Sequence, residues 1–186
     1  MADHTLNIHF MKNILILALL IAGNTAFAQD YCKQVKKEVT ENNTSFNYES
    51  PYKEDSLPLI RVVRNYSTNP EADFDNFSLI FAIPCEFSDL LVPGASGETE
   101  KEEQGVVIEF DDKTKLEDDI TVTHNKKGDG TAMRVLYYPV NGDNIKQLTT
   151  KKIVSFKLAS AKSTVSPELA TAIQKYVTCI RDVKKM

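Results

Sequence analysis

Val106-Val107-Ile108-Glu109-Phe110-Asp111 sets Val106, Ile108 and Phe110 on one side and Val107, Glu109 and Asp111 on the other. That two-residue period belongs to a strand with one buried face. It recurs outward in both directions. Phe77, Leu79, Phe81 and Ile83 alternate along a second strand, Ile120 and Val122 alternate with Thr121 and Thr123, and Val154, Phe156 and Leu158 oppose Ser155 and Lys157. Ile60–Tyr66 and Thr131–Val140 are rich in β-branched and aromatic residues, and a short strand is expected near Ser45–Tyr48. Lys127-Gly128-Asp129-Gly130 supplies a tight hairpin turn between Ile120–Asn125 and Thr131–Val140. Six or seven short strands, half of them two-faced, predict antiparallel sheet rather than βαβ units.

Helical signals stand at the two ends. Asp30 can cap a short helix over Asp30–Val39, with Cys32, Val35 and Val39 on one face. Near the C-terminus, Ser166-Pro167-Glu168 combines a hydroxyl cap, a first-turn proline and a carboxylate at the positive dipole end. Leu169, Ala172, Ile173, Tyr176, Ile180 and Val183 form one apolar stripe, and Arg181, Lys184 and Lys185 suit the negative end. The fold class expected is mainly β (α+β), an antiparallel β-sandwich or curved sheet with a short N-terminal helix and an amphipathic C-terminal helix.

Met11-Lys12-Asn13, the apolar run Ile14–Ala22 and the small-x-small triplet Ala26-Phe27-Ala28 read as a secretory signal peptide cut after Ala28. The run is roughly half the ~20 residues a membrane-spanning helix needs, so it is an address rather than an anchor. Met1–Phe10 is unlike an n-region and reads as an upstream extension, and Gln29-Asp30-Tyr31 before Cys32 is unlike a lipoprotein signal. Residues 1–28 are therefore extension and cleaved leader, and 29–186 are one exported domain, periplasmic or secreted, with no membrane span after signal removal. The leader ending Ala26-Phe27-Ala28-Gln29, with strands followed by a terminal amphipathic helix carrying Cys179, resembles small exported proteins of the Bacteroidetes type. That resemblance implies a compartment and no activity.

Charge divides unevenly along the exported part. Gln29–Ile120 holds 9 Lys/Arg against 21 Asp/Glu, and Thr121–Met186 holds 12 against 4. Two halves interleaved in one sheet would neutralise each other, whereas separated halves would make a dipolar surface that steers charged partners. The scattered basic residues and the export signal speak against nucleic acid as a partner.

Three cysteines remain after the leader: Cys32, Cys85 and Cys179. An odd count in an oxidising compartment predicts one disulfide and one free thiol. Of three pairings, Cys32–Cys179 is favoured because both flank apolar faces of the terminal helices, and closing so long a loop contributes about 4–5 kcal/mol in the chain-entropy model. Cys85 continues the Phe77–Ile83 face if alternation survives Pro84, as a buried free thiol. A nucleophilic role would need a base, and His124 is the one histidine beyond the leader. His124 ends the apolar face of a strand, where a histidine satisfied at a sheet edge is the simpler reading.

Other chemistry is weakly signalled. Asp73 and Asp75 alternate before a strand, but Phe77 and Ser78 break the calcium-loop pattern, so a polar turn explains them better than a metal. Asp111-Asp112 and Glu117-Asp118-Asp119 bracket Lys113 and Lys115 like a solvated hairpin tip, and Gly94–Gln104 reads as an exposed acidic loop. Tyr66, Tyr137 and Tyr138 with Arg61, Arg64 and Arg134 either line a groove or are ordinary sheet residues. No cofactor is implied. The function expected is an exported non-catalytic binding or interaction module, its partner an unidentified protein or small molecule and its surface a sheet face or the acidic loop. A β-rich carrier of a small apolar ligand, walled by Phe77, Phe81, Phe110 and Phe156, is the alternative. A hydrolase using His124 or paired carboxylates comes third.

Overall fold

The computed structural model describes residues 31–40, 44–51, 59–93, 100–126 and 130–183. Nine strands are present among the described residues: β1 (Lys36–Thr40), β2 (Ser45–Glu49), β3 (Leu59–Ser67), β4 (Asp75–Glu86), β5 (Glu103–Phe110), β6 (Lys115–Lys126), β7 (Thr131–Pro139), β8 (Ile153–Leu158) and β9 (Ala161–Thr164). Two α-helices follow β7 and β9, namely α1 (Ile145–Thr150) and α2 (Pro167–Arg181). Every strand pair is antiparallel, in the order β1-β2-β3-β4-β7-β6-β5-β8-β9.

One open sheet, rather than two stacked ones, comes from the way β6 changes partner. Residues up to Val122 pair with β5, and Thr123–Lys126 pair with β7. The two limbs therefore fold toward each other, and the rings of Phe81 on β4 and Phe156 on β8 lie 4.8 Å apart. A single core draws Val62, Leu79, Phe81 and Leu136 from one limb and Ile108, Phe110, Phe156 and Leu158 from the other.

Helix α2 closes this core. Ser166 Oγ accepts from the Leu169 amide, and Pro167 opens the first turn. Ala170, Ile173, Tyr176, Val177 and Ile180 are buried, while Leu169, Ala172 and Val183 pack at the margin, so the buried stripe is wider than the sequence pattern indicates. The helix's negative end is held by Arg64 of β3, which donates to the carbonyls of Ile180, Arg181 and Val183. The basic residues expected there contribute less: Arg181 pairs with Asp182, and Lys184 and Lys185 lie outside the described residues.

Several local expectations change. Among the described residues the N-terminal helix covers 31–34, its expected cap Asp30 lies outside them, and the chain from Lys36 is an edge strand paired with β2. Strand pairing along β2 overrides the helix propensity of Lys36, Lys37 and Glu38. Glu117, Asp118 and Asp119 belong to β6, and the turn is formed by residues 111–114 with Lys113 at φ 70. Of the expected acidic loop, Glu103 and Gln104 are strand residues of β5, and Glu100 bridges Leu91. The hairpin at Lys127–Gly130 joins strands paired as expected, with residues 127–129 outside the described set.

Candidate functional site

The densest polar cluster sits where β4, β7, β6 and β5 run side by side. Arg134 of β7 stands opposite Ile83 of β4 and His124 of β6. Glu103 of β5 stands opposite Val122. Val122 is buried, so Glu103 shares the core face, and the reason is a bulge. Opposite Gly105, at φ 95, β6 carries two residues, Asp119 and Ile120, between the paired Asp118 and Thr121, and the register shift turns Glu103 rather than Gln104 to the core face.

Arg134 grips Glu103 in bidentate fashion, Nε to Oε2 at 2.7 Å and Nη2 to Oε1 at 3.2 Å. His124 lies between two carboxylates, with Nε2 3.1 Å from Glu103 and Nδ1 3.3 Å from Glu100. The imidazole is 5% exposed. Lys126 pairs with the other Glu100 oxygen at 2.6 Å and lies over the Phe87 ring at 4.4 Å. Burial pushes the Glu103 carboxyl up, but hydrogen bonds from Arg134 and His124 outweigh it and hold it below the ordinary range. Glu100 is also lowered, first by Lys126.

Cys85 stands on β4 opposite Ala132, two residues beyond the Ile83–Arg134 row. The strand runs through Pro84 to Glu86, so alternation survives the proline. Pro84 lies past Ala82, the last residue of β4 paired with β3, and its missing N–H breaks no ladder there. Cys85 is a free thiol, half-buried rather than fully buried, and desolvation pushes its pKa up despite Arg134 nearby. Both ring nitrogens of His124 face carboxylates, and among the described residues no hydroxyl or thiol is paired with that ring.

The other sequence candidates are dispersed. Cys32 and Cys179 form the disulfide, with Cα atoms 5.3 Å apart, and Tyr176 Oη donates to Gln34 beside it at 2.8 Å. Both Asp75 oxygens accept from Arg64 at 2.9 Å, Asp73 is exposed after a short 3-10 turn, and no group of three potential metal ligands occurs among the described residues. The Ala28 cleavage position lies outside the described residues.

The tyrosine and arginine set splits between two faces. Tyr66 and Tyr138 are buried in the core, and burial followed by Asp118 pushes the Tyr138 hydroxyl up to about 12. Arg64 and Arg134 carry the ion pairs above. Arg61 and Tyr137 point away from the core, in one cross-strand row Arg61–Ile80–Tyr137 over β3, β4 and β7. Tyr137 is 58% exposed, and Arg61 pairs with Glu49. Val63, Ala82 and Val135 lie on the same outer face, are themselves shielded, and belong to no part of the main core.

Phe81, Phe110 and Phe156 are fully enclosed in the core and Phe77 is half-buried at its edge. Two shallow surface depressions are larger than any one side chain. One of about 420 Å³ lies over the Gly105 bulge beside Glu117, Asp118 and Lys157, and one of about 320 Å³ lies between Arg64, Phe77, Ile145 and Arg181. No protein family, curated protein or solved structure matches this chain.

Proposed function

We propose that this protein is an exported, non-catalytic interaction module of the periplasm or the extracellular space, and that its protein partner lies on the outer face of β3, β4 and β7. The observation that carries the reading is the in-register row Arg61–Ile80–Tyr137, ending in a tyrosine that is 58% exposed. Tyrosine and arginine are enriched at protein interfaces, tyrosine because it adds large area and a polar tip for two frozen torsions and arginine because its planar head offers several donors in a fixed fork. Shielded Val63, Ala82 and Val135 extend the apolar character of the same face. The compartment is supported by the leader motif before Gln29 and by the Cys32–Cys179 disulfide, a bond that persists in oxidising surroundings. Among the described residues no helix is long and apolar enough to cross a membrane.

The test is a photo-crosslinking amino acid placed at Tyr137, with the exposed Lys157 of β8 as control, in protein exported by its own host. A discrete adduct of defined mass from position 137 and none from 157 is the expected result. Equal labelling from both positions, or no adduct from either, defeats the assignment of this face.

A further inference from the structure

We propose that His124 is a proton-dependent fastener: its doubly protonated ring pins the approach to β5 by holding Glu100 and Glu103 together, and loss of one ring proton leaves Glu100 tied to β6 by Lys126 alone. The inference is independent of the outer-face reading. It rests on three sets of contacts. First, each ring nitrogen faces a carboxylate oxygen, Glu100 at 3.3 Å and Glu103 at 3.1 Å. A neutral imidazole has one N–H, so only the imidazolium donates to both, and the neutral ring turns a lone pair toward an anionic oxygen.

Second, the two bonds are unequal. Glu103 is 10% exposed and already fixed by Arg134, whereas Glu100 is 33% exposed and its other support is the half-exposed Lys126. The neutral ring therefore keeps the shorter, drier bond to Glu103 and gives up Glu100. Third, Glu100 belongs to a small clasp whose other side-chain tie to β6 is the exposed Lys126 at its end. Glu100 bridges Leu91, the Lys101 amide donates to the Leu90 carbonyl at 2.7 Å, and Lys101 Nζ donates to the Asp89 carbonyl at 2.7 Å. Leu90 is fully buried and stays put.

The charged and titratable groups around the ring are named by element. Glu103 comes from β5, Glu100 from the segment before it, Lys126 from the ring's own strand, and Arg134 from β7, with Cys85 of β4 and Asp89 of the 3-10 turn behind Arg134. The two glutamates stay ionised into the acidic range, since both are lowered. Arg134 is raised further by its bond to Glu103. Of the side-chain types gathered here, an imidazole is the one that gains a second donor by taking up a proton. The clasp is tightest at mildly acidic pH and loosens as the pH rises.

Hydrogen exchange read by NMR on the full chain tests this, after correction for the intrinsic base-catalysed rate. The Lys101 amide should exchange roughly tenfold faster at pH 8 than at pH 5.5, the scale of one charge-assisted hydrogen bond. The step should coincide with the change in the His124 ring nitrogens and should vanish in His124→Gln. The Ala170 amide, which donates to Ser166 at 2.8 Å in α2, should show no such step. A flat Lys101 profile overturns the proposal, as does a step that persists in His124→Gln or one shared by Ala170, which would be global loosening. If His124→Gln does not fold, the wild-type comparison of Lys101 with the ring nitrogens decides alone, and a mismatch between the two overturns the proposal.

Discussion

Three hydrogen bonds converge on the Glu103 carboxylate from two neighbouring strands, two from Arg134 and one from the His124 ring. A buried carboxylate is costly unless its lone pairs are met by donors, and here the Arg134 guanidinium and the His124 ring meet them. The pKa direction makes this a statement about acid stability. Glu103 is held below its unfolded value of about 4.3. Its contribution is therefore complete above about pH 4.3 and is lost as the pH falls through the lowered folded value. The wild type should lose more stability between pH 6 and pH 3 than Glu103→Gln does, measured as the shift in urea midpoint. Identical acid losses in the two proteins would show that Glu103 is no part of the linkage. The residue itself was hidden from a reading of periodicity. Counting back from Val106 puts Gln104 on the core face, and only the register shift at Gly105, opposite two residues of β6, turns Glu103 inward. The available signal was a glycine inside a β pattern, which marks a bulge.

At the scale of elements, α2 was legible because its instructions are local: a cap, a proline and a stripe at helical spacing all lie within residues 166–183. Its other end was not, because Arg64 reaches it from a strand more than a hundred residues earlier. Arg64 is 13% exposed at its side chain, and Asp75 holds it in the fork geometry that three carbonyls then use. Arg64→Met should lower stability by about 2–3 kcal/mol, the range for losing hydrogen bonds to a charged group. Arg64→Lys should recover only part of it, because an ammonium cannot keep both Asp75 oxygens and the helix carbonyls at once. Full rescue by lysine in urea unfolding would mean that charge alone matters and the cap does not. Long two-faced strands were legible for the same local reason. The edge strand β1, the four-residue β9 and the single-turn-and-a-half α1 were not, since their formation depends on a partner or a core face supplied from elsewhere.

Across the whole molecule, the acidic and basic halves of the chain interleave. β6 and β7 stand between β4 and β5, which brings Glu103 to Arg134 and Glu100 to Lys126, while β8 and β9 on the other side of β5 bring Lys151 to Asp112 and Lys162 to Glu109. The long-range pairing that neutralises the charge also leaves the two chain ends far from their sequence neighbours, with the 31–34 turn lying against α2. Tyr31 and Tyr176 meet edge-to-face at 5.4 Å, and the Cys32–Cys179 bond closes a loop spanning 147 residues. Each strand already has its ladder and the core is filled, so the bond adds little native contact. Its effect falls on the unfolded chain, whose ends it keeps together. The chain-entropy model assigns about 5 kcal/mol to a loop of this size. A Cys32→Ser/Cys179→Ser double variant should keep the native far-ultraviolet circular dichroism spectrum and lose about 5 kcal/mol of unfolding free energy, read as a lower urea midpoint with a steeper transition because its unfolded state exposes more surface. An unchanged midpoint would place the stabilisation of this fold entirely in the sheet and α2. A variant that loses strand signal in the absence of urea would show that β1 and the 31–34 turn depend on the covalent tie to form at all.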